Sequence, residues 1–385
     1  MYNFKEAVLG PDFAKDKLKD FRQLIDRSLS FVVVSMPGVG VSYFLRYLAS
    51  QNFARFFHID LYSLASLTQH ELYKLILLEL GGKDGKKTDE QMLEETGNIL
   101  KGLSGKYEKI VLIFSRFDQL KKEFNSRFLS NIQSLTNVAP GKLVLIFTAI
   151  KPLNELTPDA LSGGNLNFYS ENYYFTPYSK EDLKKILEIE PGRLTSKENL
   201  EKLLDLSCGH NQLLHILLSS QKQQNLLLDQ FVKLQLKEFV DYLNYYQRKT
   251  LQKIVLGKTV TEVDDYLLNV GMIKNSKFQI PSSKFQTFTP LLSEYIKTNL
   301  PVNLPVKESK LFKLLRNKMG SVVSKDEIFA QVWPEKSEDV TGKSDLPTDW
   351  ALDALIYRLR KHPFMKANNY IIESQKKVGY TLIQT

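Results

Sequence analysis

At 385 residues the chain exceeds what one hydrophobic core ordinarily organises, and about one domain per 150 residues gives two to three units. Hydrophobic residues at 43%, charged at 25% and aromatics at 11% exclude a disordered or fibrous chain, and a lone cysteine, Cys208, excludes a disulfide framework or a cysteine-based zinc cluster. No apolar run nears the roughly 20 residues of a membrane span and no signal-peptide pattern opens the chain, so a cytoplasmic protein with no membrane partner is expected; a net charge of +9 permits a polyanionic partner.

Residues 13–29 have helical apolar spacing, and Phe31-Val32-Val33-Val34 follows as the β-branched run that a strand buried on both faces needs. Residues 53–61, 109–114, 143–148 and 167–175 read as four more strands, separated by amphipathic stretches at 68–80, 89–103 and 124–135. This alternation predicts an α/β fold with a doubly wound parallel sheet over residues 1–176.

Residues 177–235 read as a helical lid, with short helices at 179–187, 196–206 and 211–220 and a longer Leu-rich helical stretch over 225–246. Ser179 with Asp182 has N-cap spacing, and Thr195 with Glu198 that of a capping box. Residues 236–300 read as a first winged helix: helices at 247–256 and 260–269, then a hairpin from 274–281 and 284–289. Its second helix carries Glu262, Asp264 and Asp265, which favours protein contacts over DNA there. Residues 301–305 form a linker stiffened by Pro301 and Pro305. Residues 306–385 then start a second winged-helix pattern: helices at 310–318, 324–332 and 349–361, followed by two strands.

Ser35-Met36-Pro37-Gly38-Val39-Gly40-Val41-Ser42 follows the first strand and precedes a helix at 43–50. In that order Gly38 and Gly40 let backbone N–H groups wrap an anion, and Ser42 supplies the hydroxyl that would ligand magnesium. Ser35, however, stands at the first glycine and Val41 at the lysine. After the 109–114 strand, Ser115 and Arg116 replace the acids that organise metal and water, and the next carboxylate is Asp118. The missing lysine removes a charge-assisted contact worth about 1.5–3 kcal/mol, and the missing acids remove the chemistry of hydrolysis. No catalytic residue and no metal cluster is expected, and ATP or ADP with magnesium is expected at most as a weak ligand. The alternative is a strand-to-helix turn that needs only flexible backbone.

On these residues the first 300 or so resemble a signal-transduction NTPase of the STAND/AAA+ group, a P-loop NTPase core with a helical lid. The strand 142–148 ends at Thr148, the position of that group's sensor-1 side chain. Tyr178-Ser179-Lys180-Glu181-Asp182-Leu183 resembles the opening of its lid, and Ser207-Cys208-Gly209-His210-Asn211-Gln212-Leu213-Leu214 its lid motif, with Gln212 in place of proline. The resemblance implies a degenerate nucleotide site at Gly38, Gly40, Ser42, Asp118 and Thr148, and a pseudo-ATPase.

In the tail, Leu352, Leu355, Ile356 and Leu359 share one helical face while Arg358 and Lys361 project from the other, beside Tyr357 and Ala354. Such a helix can lay its basic side in a major groove. Lys376 and Lys377 lie near the tip of the final hairpin, within reach of phosphates or a minor groove. From Val306 onward there are 14 Lys/Arg against 10 Asp/Glu, but within 353–377 six basic residues face two acids. Val323-Ser324-Lys325-Asp326-Glu327-Ile328 with Trp333, Ile356-Tyr357-Arg358-Leu359-Arg360-Lys361, and Val378-Gly379-Tyr380 resemble the OmpR/PhoB-type winged-helix DNA-binding domain. That resemblance implies DNA contacts at Arg358, Arg360 and Lys376; Tyr357, Lys361 and Lys377 complete the candidate set. The loop 334–348 and the Lys-Lys wing depart from the family pattern.

The expected function is a DNA-binding transcriptional regulator carrying an NTPase-like sensor or scaffold. One small winged helix buries little surface, so a homo-oligomer on double-stranded DNA is expected. The alternative is a nucleotide-dependent switch whose tail winged helix binds a protein partner.

Overall fold

The computed structural model describes all residues except 1–3, 84, 162–165, 191–195, 221–225, 261, 281–282, 300–304, 334–347, 363–364, 366–369, 376–377 and 385. Most of the predicted linker, most of the polar loop, Thr195, and both wing lysines, Lys376 and Lys377, lie outside the described residues. The chain forms two compact units, residues 1–247 with 261–275 and residues 248–260 with 276–385. Among the described residues no helix is long and apolar enough to cross a membrane.

The front unit begins with α1 (Lys15–Asp26), β1 (Phe31–Ser35), α2 (Val41–Ala49), β2 (Arg55–Asp60), α3 (Gln69–Glu79) and α4 (Asp89–Ser104). It continues with β3 (Ile110–Ser115), α5 (Ser126–Ser134), β4 (Leu143–Ala149), the short helices α6 (Leu153–Leu156) and α7 (Leu166–Tyr169), and β5 (Asn172–Phe175). The five strands make one parallel sheet in the order β2-β3-β4-β1-β5. Every residue of β1 and β3 is buried, as expected of strands covered on both faces. Residues 31–34 are wholly inaccessible, and each of these side chains contributes about 1.5–3 kcal/mol of hydrophobic stabilisation.

The predicted strand at 167–175 is shorter than expected: residues 166–169 form α7 and only 172–175 join the sheet. The Ser170 hydroxyl closes the turn on the Asn167 carbonyl (2.9 Å), and the buried Tyr169 donates its hydroxyl to the Leu129 carbonyl (2.8 Å). Those contacts hold the backbone in a helical turn where aromatic content alone suggested a strand.

Four lid helices follow: α8 (Lys180–Glu188), α9 (Lys197–Ser207), α10 (Asn211–Ser219) and α11 (Gln230–Asp241). Ser179 caps α8 by accepting the Asp182 N–H (3.0 Å), as its spacing predicts. The cap of α9 is Ser196, accepting from the Asn199 N–H (3.3 Å). Next come α12 (Tyr245–Val255), α13 (Asp265–Asn269), the paired strands β6 (Ile273–Ile280) and β7 (Ser283–Thr287), and α14 (Pro290–Asn299). The helix expected over 260–269 begins only at 265, because Asp264 caps it through the Leu267 N–H (3.4 Å).

The tail consists of α15 (Val306–Asn317), β8 (Val322–Ser324), α16 (Lys325–Val332), α17 (Asp349–Lys361), β9 (Tyr370–Gln375) and β10 (Gly379–Gln384). Its sheet runs β8-β10-β9, all antiparallel. Strand β8 was not anticipated; Val322 and Val323 pair with Thr381 and Tyr380, and Ser324 then caps α16 through the Glu327 N–H (3.2 Å). Leu311, Leu315, Val323, Ile328, Leu352, Leu355, Leu359 and Leu382 form the centre of one core. Three helices and a three-stranded sheet on one core constitute a winged-helix domain.

Candidate functional site

The loop after β1 crosses the carboxyl ends of the sheet, where open α/β folds place ligands. Gly38 (φ +74°) and Gly40 (φ +108°) both occupy the left-handed region that glycine tolerates. What surrounds them is the lid. A Cβ at Gly38 would lie 2.1 Å from the Gln212 Oε1, and one at Gly40 2.8 Å from the Tyr178 ring and 2.9 Å from the Asn211 Cβ. Gln212 N–H donates to the Gly38 carbonyl (3.0 Å) and the Tyr178 hydroxyl to the Gly40 carbonyl (2.8 Å). The loop is therefore clamped by the residues that begin α10.

His210 organises the clamp. Its Nδ1 accepts the Leu213 N–H (3.1 Å), capping α10, which leaves the proton on Nε2 for the Pro37 carbonyl (2.8 Å). The ring is fully buried, and burial holds its pKa down at about 4. Between pH 6.5 and 4 the unfolded chain binds a proton here that the folded unit refuses. Stability of the front unit should thus be full above pH 6.5 and fall on acidification by up to about 3 kcal/mol. Urea midpoints against pH for wild type and His210→Asn, which keeps a capping acceptor, check this; parallel profiles would exclude it.

At the ends of β3 and β4 the predicted site residues do meet. The Thr148 Oγ1 accepts the Arg116 N–H (2.6 Å), and the Asp118 carboxylate lies near the Ile150 N–H (3.5 Å). Burial pushes the Asp118 pKa up. Ser115 is paired with the His58 ring (Oγ to Nε2, 2.7 Å). The Arg116 side chain is engaged by its neighbours: its Nη2 bridges both Asp60 oxygens (2.7 and 2.9 Å) and the guanidinium sits 4.5 Å above the Tyr62 ring. Gly38, Gly40, Ser42, Asp118 and Thr148 all line one cavity of about 1090 Å³. Its described ionisable lining is Asp118, Glu190, Asp229 and Glu238 with Arg116 and His215. No group of three or more potential metal ligands occurs among the described residues.

Lys151 was not singled out by sequence. It is buried just beyond Thr148, with its ammonium 3.4 Å from the centre of the Tyr266 ring and bonded to the Gln247 carboxamide. Burial lowers its pKa to about 8. A single lysine in a loop has no periodic signal, so only the fold reveals it.

In the tail, Thr348 caps α17 by accepting the Ala351 N–H (3.3 Å), and Leu352, Leu355, Ile356 and Leu359 anchor the helix inward. Tyr357, Arg358, Arg360 and Lys361 are exposed, as their helical positions predict. The two arginines are nonetheless engaged. Arg358 Nε donates to Glu308 of α15 (2.7 Å), a carboxylate whose side chain is only 6% exposed. Arg360 donates from Nε to the Ile372 carbonyl (2.9 Å) and from Nη2 to the Ser374 hydroxyl (2.8 Å), tying α17 to β9. The Tyr380 hydroxyl donates to Asp353 (2.6 Å) and so fixes β10 against the same helix. Trp333 is half-buried against Phe329, with Lys307 over its ring at 5.3 Å.

The parallel sheet with its glycine loop defines the front unit as a P-loop NTPase-like fold, joined to a tail winged helix. Residues 299–382, which include most of the tail, match the family model "Transcriptional regulatory protein, C terminal". Solved structures similar to the chain include a Walker-type ATPase of Pyrococcus abyssi, 15% identical, covering 75% of this chain and 96% of that one at a TM-score of 0.48. The Aeropyrum pernix ORC1 protein in complex with DNA is 14% identical, with 99% and 94% coverage and a TM-score of 0.40. Cdc6p from Pyrobaculum aerophilum is 12% identical, with 92% and 97% coverage and a TM-score of 0.39. No curated protein matches the chain.

Proposed function

We propose that the chain is a DNA-binding transcriptional regulator whose NTPase-like unit senses or scaffolds without hydrolysing nucleotide. The observation that carries the reading is the family match over residues 299–382, on a domain whose α17 ends in Arg358, Arg360 and Lys361. The tail positions basic side chains for duplex phosphates, and two copies on one duplex supply the surface a single winged helix lacks.

For the front unit, the residues present do not fit a magnesium triphosphate. Val41 offers no cation, and the only arginine in the described cavity lining is spent on Asp60. Four carboxylates and no described lysine line the same space, which leaves a polyanion little positive charge to bind. The glycines have another use, since the lid packs against them.

A salt titration of duplex-DNA binding, with and without Mg-ATP, tests both halves. Binding should weaken steeply with salt and ignore nucleotide, and thermal unfolding of the front unit should shift by less than about 1 °C at millimolar Mg-ATP. Nucleotide-dependent stabilisation together with turnover would replace this reading with a nucleotide-driven switch.

A further inference from the structure

On α17 a second surface stripe runs between the two arginines. Trp350, Ala354, Tyr357 and Lys361 fall at i, i+4, i+7 and i+11, one stripe within about 60° of helix surface. Trp350 is 79% exposed and Tyr357 62% exposed, far more than aromatic side chains ordinarily are. Arg358 and Arg360 lie on the two flanks and are held by Glu308 and by β9 respectively. The two acids on this face are also engaged, Asp349 by Lys325 (2.7 Å) and Asp353 by Tyr380 (2.6 Å). What remains is a stripe carrying two exposed aromatic rings, ending in Lys361 and flanked by the half-exposed Arg358, with positive charge beside an apolar surface.

We infer that Trp350, Ala354 and Tyr357 set the sequence specificity of the tail by apolar contact with thymine methyl groups in the major groove. This rests on the DNA-binding reading above and deepens it. The more common reader, an arginine forked onto guanine, is blocked on the Nε–Nη2 edge of Arg360, which β9 holds, while Arg358 keeps only its Nη edge once Nε is bound to Glu308. Trp350 and Tyr357 are about 10 Å apart along the helix axis, about three base-pair steps. The preferred site should therefore carry thymines about three steps apart.

The test uses the full-length chain and a random duplex library, followed by replacement of each thymine of the enriched motif with deoxyuridine, which removes only the methyl. The wild type should lose about 5- to 10-fold in affinity on the uridine duplex. Trp350→Ala should bind the thymine duplex correspondingly less well and be indifferent to uridine, with an unchanged salt slope; Trp350→Phe should keep part of the discrimination. An enriched motif insensitive to uridine, or one that Trp350→Ala binds equally well, overturns the inference while leaving DNA binding standing. Retention of no duplex by the wild type at low salt overturns both, and would leave the aromatic strip to a protein partner.

Discussion

Alanine at Lys361 and Lys376 together should lower duplex-DNA affinity by roughly 10- to 100-fold at 0.1 M salt, and reduce the slope of log affinity against log salt by about two. Each lysine is a phosphate contact in the proposed complex, so the loss should be nearly uniform across DNA sequences. Lys361 is exposed at the end of α17, its ammonium 5.8 Å from the Tyr357 ring, so its removal leaves the fold intact. Filter binding or fluorescence anisotropy over a salt series measures both quantities; an unchanged slope would detach these lysines from the duplex.

Arg358→Ala is a poorer probe of the same interface. It strands Glu308, a nearly inaccessible carboxylate whose partner is that guanidinium. Breaking a buried pair costs about 3–5 kcal/mol, and because Arg358 is 59% exposed the discounted expectation is about 1–3 kcal/mol of tail stability. Glu308→Gln in the same chain should restore most of it. Thermal unfolding of the single and double variants separates this structural loss from any loss of DNA contact.

The largest stability effect is expected at Gly379. A Cβ there would lie 1.9 Å from the Val323 carbonyl oxygen and 3.0 Å from the Ser324 Cα, both backbone atoms of β8. Neither can rotate aside, so Gly379→Ala should force β8 away from β10 at a cost of about 3 kcal/mol or more, unfolding the tail. Gly320→Ala is the control: it has left-handed backbone (φ +80°) but nothing within 4 Å, and should cost only about 1 kcal/mol. Equal melting shifts for the two variants would contradict the close approach.

Much of the architecture is legible before any coordinates. Apolar runs such as Phe31–Val34 have few alternatives to a buried parallel strand, and α17 runs over residues 349–361 as its apolar period predicts. Short elements escape because their determinants are not periodic. Asp264 shortens α13 by a single side-chain cap, Tyr169 is drawn into a helical turn by a distant carbonyl, and β8 has only three residues to announce it. The candidate site shows the same division. Val41, Ser115 and Arg116 are plain in the sequence, whereas the destinations of Arg116, Arg358 and Arg360 depend on partners 56, 50 and 12 residues away.

The contact between Gln212 and Gly38 separates the shape of this turn from its charge. A side chain at Gly38 or Gly40 would collide with the residues that open α10 or with Tyr178 whatever the loop holds, so glycine at these two positions reports the seating of neighbouring elements and is not by itself a mark of triphosphate affinity.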